Sequence, residues 1–152
     1  MVGVSAGKAF TGKGDAASYF RLYVGLEKRR PILSFVDASL GIGVSLIGEP
    51  EKGEPGTAPS GRSTLISLLG ALRFDPGKMG GGYFSVFGGP GAAFGKDKPS
   101  PGGVVGLGVG YRWRVLDFSL NAGIDYNPTR NLGEEKMYTL SASFSLAQKV
   151  RP

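Results

Sequence analysis

The 152-residue chain contains no histidine and no cysteine. The missing histidine removes the commonest general base and a leading metal ligand. The missing cysteine excludes a disulfide scaffold, a thiolate nucleophile and a Cys-ligated zinc site, and it fits any compartment, an oxidising one included. No stretch approaches the 18 or so apolar residues of a membrane-spanning helix. Met1 leads directly into VGVSAGKAF, which already alternates, so no signal peptide is expected. Glycine (27) and proline (10) are abundant, yet no G-X-Y period or low-complexity tract organises them, which excludes collagen and disorder. The net charge of +6 suits acidic partners such as phosphorylated lipid, but the basic residues form no tract. A nucleic-acid surface would need them clustered on one face.

What is present is alternation. Across Gly102 to Tyr126, residues Val105, Leu107, Val109, Tyr111 and Trp113 share one face. Gly106, Gly108, Gly110, Arg112 and Arg114 share the other. The parity flips after Val115-Leu116, and Phe118, Leu120, Ala122, Ile124 and Tyr126 form the new apolar row, opposite Ser119, Asn121, Gly123 and Asp125. Period two marks a β-strand with one apolar face, and a flip across so short a connection marks a tight hairpin.

The rest of the chain repeats this unit. A first strand carries Val2, Val4 and Ala6, with Lys8 and Phe10 in the same parity, and TGKGDA follows as a turn. Ala17 to Glu27 and Ile32 to Ile47 read as strands, divided by Lys28-Arg29-Arg30-Pro31. Gly48 to Arg62 is the longest loop and the expected most mobile segment, rich in turn formers and charge with nothing to bury. Ser63 to Phe74 has Leu65, Leu68, Leu69 and Leu72 at helical spacing, but it also offers Thr64, Ile66, Leu68, Leu72 and Phe74 at period two. Its strand neighbours favour a strand. Gly82 to Gly89 is a short strand expected to end or bulge at Pro90. Asn127 to Glu135 is a loop, and a final strand aligns Tyr138, Leu140, Ala142, Phe144 and Leu146. The sum is one domain, residues 1–152, of eight strands, with short and long connections alternating. An all-β, antiparallel up-and-down barrel with short turns at one end and longer loops at the other fits that rhythm.

Alternation leaves the inward face open. A soluble barrel would point its apolar rows inward around an apolar small ligand. The polar rows favour the opposite arrangement. A solvated face is rich in Lys and Glu, whereas these rows hold Gly, Ser and Asn with Arg21, Glu27, Asp37, Arg73, Arg112, Arg114 and Asp125, and no lysine. Small residues with Arg–carboxylate pairs suit the interior of an eight-stranded barrel, where buried charges must be paired. The apolar rows would then face lipid, and the sheet must close. Phe74, Trp113, Phe118 and Phe144 would ring the short-turn end, and Phe20, Tyr126 and Tyr138 the long-loop end.

GVGYRWR (Gly108 to Arg114), LNAGIDYNP (Leu120 to Pro128) and the closing YTLSASFSL (Tyr138 to Leu146) give the chain a resemblance to eight-stranded outer-membrane β-barrels of the OmpA, OmpX and Opa type. Such barrels usually end on an aromatic residue, whereas Phe144 is followed here by Leu146 and the tail AQKVRP. The resemblance implies a monomeric protein of the bacterial outer membrane. Its partner is membrane lipid, lipopolysaccharide included, with a further partner at the loops and no nucleic acid. Some barrels of this size modify lipid, and one of the lipid A deacylase kind would use a His-Ser pair; this chain has no histidine. The expectation is a non-enzymatic anchor or adhesin without cofactor, metal or catalytic residues. A pore is disfavoured, since side chains fill a barrel of this size.

Overall fold

The computed structural model describes residues 1–10, 16–28, 35–50, 63–74, 81–94, 99–127 and 136–146. They form eight strands: β1 (Val2–Phe10), β2 (Ala16–Lys28), β3 (Val36–Pro50), β4 (Ser63–Phe74), β5 (Gly82–Phe94), β6 (Ser100–Trp113), β7 (Leu116–Tyr126) and β8 (Lys136–Leu146). Each pairs antiparallel with the next, and β1 pairs β8 from Val2↔Leu146 to Phe10↔Tyr138, so the sheet closes in sequence order. Closure leaves no strand edge with unpaired backbone groups. At 9 to 15 residues, the strands meet or exceed the length a tilted strand needs to cross a bilayer.

The apolar rows point outward. Leu26 is 78% exposed, Leu120 62%, and Leu40, Ile42 and Leu140 each 58%. The inward rows hold Ser45, Ser67, Ser141, Arg21, Asp37, Arg112, Asp117 and Asp125, all buried, with Glu27 and Arg73 partly buried beside them. A soluble barrel with an apolar interior is the reverse of this arrangement. That alternative is overturned.

One expectation about the strands holds and two change. The β4 segment is a strand, and its helix-like leucines divide between faces: Leu65 and Leu69 turn inward, Leu68 and Leu72 outward. β5 does not end at Pro90. It runs to Phe94 in one register with β4, and only the partners of Leu68 and Leu69 drop out where Pro90, which has no N–H, passes them. The loop rhythm is also weaker than expected. The two longest connections, 51–62 and 127–135, share one end of the barrel, hereafter the loop end. Connections 11–15 and 95–99 at that end are no longer than 29–35 and 75–81 at the other, the turn end. Strands that run past their last alternating residue shorten the loops. Of Gly48 to Arg62, residues 51–62 lie outside the described residues.

The turn end contains the tight β6–β7 hairpin. Trp113 pairs Leu116, so the two-residue connection is Arg114-Val115, one residue earlier than the sequence pattern implies. Arg114 sits at φ 59°, a left-handed conformation that costs a non-glycine residue of order 1–3 kcal/mol. Lumenal glycines make room for rings. A Cβ on Gly25 or Gly41 would come within 2.7 or 2.8 Å of the Tyr23 ring, and one on Gly106 within 2.8 Å of Phe87.

Candidate functional site: the lumen

Towards the turn end, β2, β3, β4, β6 and β7 each send ionised side chains inward. Arg112 is the hub. Its guanidinium reaches Glu27 (2.8 Å), Asp37 (2.9 Å) and Asp117 (3.2 Å). Arg73 bridges Glu27 (3.3 Å) and Asp117 (3.2 Å), and lies 4.6 Å from the centroid of the Tyr83 ring. The Tyr83 hydroxyl donates a hydrogen bond to Asp117. Two arginines therefore face three carboxylates, and each carboxylate accepts at least one guanidinium hydrogen bond or ion pair. Burying these charges is tolerable only because they are paired in this way.

Nearer the loop end stands a second, separate pair. Arg21 donates from Nη2 to both oxygens of Asp125 (2.9 and 3.0 Å) and from Nε to Ser45 Oγ (2.8 Å). Its guanidinium lies over the Tyr19 and Phe87 rings, 5.3 and 5.8 Å from their centroids. Beyond it, Ala9, Ala17, Tyr19, Ile47 and Met137 pack into an apolar plug. Between the two charged layers is a cavity of about 130 Å³, bounded on one side by Ser5, Ser119, Asn121, Ser141 and Ser143. Ser5 and Ser143 hydrogen-bond at 2.6 Å, and Asn121 donates to Ser119 and Ser143. The cavity can hold several waters. The packed plug and two ionic layers are expected to prevent an open channel. Planar-bilayer recordings should give no steady conductance; a stable ohmic step would mean that the plug moves aside.

Of the seven charges assigned to the lumen by alternation, Arg21, Glu27, Asp37, Arg73, Arg112 and Asp125 lie there in ion pairs. Arg114 does not. It is exposed in the β6–β7 turn, with its guanidinium 5.7 Å from the centroid of the Trp113 ring. A strand's parity ends where its last cross-strand pair ends, which is Trp113↔Leu116. The residue missed was Asp117, which is buried, contacts both arginines and is the direct cross-strand partner of Arg112. Its parity with Ser119, Asn121 and Asp125 was the available signal.

The seven rings expected on the exterior, Phe20, Phe74, Trp113, Phe118, Tyr126, Tyr138 and Phe144, occupy outward positions of their strands. Towards the turn end, Phe118 and Phe144 stand 5.1 Å apart and Phe74 and Phe84 6.3 Å apart, with Tyr111 also exposed on the same side of the belt. Phe94 and Phe10 add to the loop end. Lys8 shares the outward row of β1 with Phe10, across from Leu140.

This is chemistry for holding a barrel shut. Among the described residues no group of His, Cys, Asp and Glu is arranged to hold a metal ion. A closed antiparallel barrel with an aliphatic exterior, aromatic residues towards both ends and an ion-paired lumen defines a transmembrane β-barrel. Two solved structures share the fold. The outer-membrane enzyme PagL superposes with a TM-score of 0.60 at 15% identity, over 96% of this chain and 99% of that one. Neisserial surface protein A (NspA) does so with a TM-score of 0.64 at 15% identity, over 97% of this chain and 94% of that one. No family model matches the sequence, and no curated protein matches it significantly.

Proposed function

We propose that the chain is a non-enzymatic, monomeric β-barrel of the bacterial outer membrane that anchors its longer loops at the membrane surface, as a structural anchor or an adhesin. The observation that carries this is the inversion of the barrel, with exposed leucine, isoleucine and valine outside and buried, paired charges inside. Contiguous apolar surface of this extent is not compatible with a solvated monomer. PagL is an outer-membrane enzyme, but at this identity the likeness extends to the fold alone. This chain has neither histidine nor cysteine to activate a lipid ester. Arg21, Arg73 and Arg112 are each engaged in ion pairs with lumenal carboxylates. The partner of the belt is membrane lipid, with lipopolysaccharide on the loop side, and the loops carry any further recognition.

Trp113, the sole tryptophan, provides the test. The purified protein should need detergent to stay monodisperse. In bilayers, lipids brominated near the headgroup should quench Trp113 more than lipids brominated near the bilayer centre. A monodisperse species in plain buffer, with Trp113 open to aqueous iodide, would contradict the membrane reading. Release of fatty acid from phospholipid or lipopolysaccharide by the pure protein would contradict the non-enzymatic one.

A further inference from the structure

The hairpin that joins β6 and β7 spends an unfavourable backbone conformation on an arginine. Two-residue hairpin turns favour Gly or Asn wherever φ is positive, because a Cβ is crowded there. Arg114 holds φ 59°, the one positive φ at a non-glycine position among the described residues. It is exposed, and no carboxylate among the described residues pairs with it, in contrast to Arg21, Arg73 and Arg112. Its guanidinium instead lies 5.7 Å from the centroid of Trp113, a ring that is 58% exposed on the outward row. Tyr111, Phe118 and Phe144 stand on the neighbouring outward positions of β6, β7 and β8.

We propose that Arg114 and Trp113 form a phosphate clamp for a phospholipid headgroup in the leaflet at the turn end of the barrel. The reasoning rests on the membrane reading above. The aromatic residues around Trp113 mark the depth of the headgroups, where rings with an apolar body and a polar edge collect. A cation fixed against such a ring at that depth faces the lipid phosphates. Guanidinium presents a planar fork of N–H donors that matches phosphate oxygens two at a time, and the cation–π contact, 5.7 Å to the ring centroid, keeps it beside the indole. Gly or Asn would relieve the backbone but offer no cation. The ligand chemistry is a phosphate monoanion, which a phosphodiester headgroup supplies and free phosphate could imitate.

The test compares wild type with Arg114→Asn, which accepts the left-handed conformation, and Arg114→Lys, which keeps the charge without the fork. Urea unfolding is followed by Trp113 fluorescence in maltoside micelles, which carry no phosphate, and in phosphatidylglycerol vesicles. In maltoside, Arg114→Asn should match or exceed the wild-type midpoint. In vesicles it should fall below wild type, with Arg114→Lys in between. The same shift in both media would overturn the clamp while leaving the membrane reading intact. Added inorganic phosphate that raises the wild-type midpoint in maltoside, with no wild-type advantage in vesicles, would assign the site to the free anion and overturn the lipid headgroup. A wild-type protein that needs no amphiphile would instead remove the reading on which the clamp rests.

Discussion

Arg112→Ala is expected to destabilise the folded barrel by about 3–5 kcal/mol, the cost of breaking a buried ionic network by removing one member. Arg112 is only 6% exposed and contacts Glu27, Asp37 and Asp117 together. Its loss leaves Glu27 and Asp117 with Arg73, at 3.3 and 3.2 Å, and removes the guanidinium that Asp37 contacts at 2.9 Å. Asp37→Ala is the milder change. Arg112 then keeps Glu27 and Asp117, and the loss should be about 1.5–3 kcal/mol, as for a hydrogen bond to a charged group. Arg112→Lys should fall between wild type and Arg112→Ala, because a single ammonium cannot span three acceptors in fork geometry. Urea unfolding monitored by Trp113 fluorescence resolves these differences. Unchanged midpoints for both Arg112→Ala and Asp37→Ala would mean that water, not protein, solvates the carboxylates.

The parts of this network legible in the sequence were those that alternation alone determines. Val105 to Trp113 and Phe118 to Tyr126 each keep one parity along a strand, so their faces, and hence Arg112 and Asp125, follow from period two. Lipid outside and small or paired polar residues inside then follow from composition, since the inward rows hold arginine and carboxylate but no lysine among the described residues. Legibility ended where alternation ended. Arg114 continued the parity of Arg112 on paper, but the turn begins at that residue and sends its side chain outside. Asp117 lay on the first inward position after the turn, and only the pairing Arg112↔Asp117 identifies it as the arginine's partner. Leu65 and Leu69 made β4 the least distinct strand for a related reason, although its period-two row still marked it as one. They face inward in rows that are otherwise polar, so the segment has apolar residues on both faces and imitates a helix. Pro90 misled in the other direction. A proline costs a strand one donor, and a closed barrel with partners on both sides of β5 carries the strand through that loss.

Arginine placed on the outward row should cost most at the middle of the belt and least at its ends. Leu107 on β6 pairs Ala122 of β7, and Leu120 pairs Val109, so all four sit among aliphatic neighbours midway along their strands. Leu116 opens β7 beside Trp113, at the aromatic border. In phospholipid bilayers, Leu107→Arg and Leu120→Arg should each destabilise by about 2–4 kcal/mol, and Leu116→Arg by about 0–1 kcal/mol, since the cost of a cation on the lipid face depends on depth. The cause is desolvation. A guanidinium at mid-depth must leave water or pull it into the bilayer, while one near the headgroups extends its stem and stays hydrated. None of the three substitutions touches the lumen, where Arg112, Arg73 and Arg21 already have their carboxylates, so the effect reads the exterior alone. On a water-facing exterior the same arginines would cost little at either depth, because Leu107 and Leu120 are 51% and 62% exposed and an arginine stem can keep the contacts that remain. Equal unfolding free energies for all three variants and wild type in bilayers would therefore refute a lipid-facing belt, whereas a cost that peaks at Leu107 and Leu120 and vanishes towards Leu116 would trace the hydrocarbon core across the barrel wall.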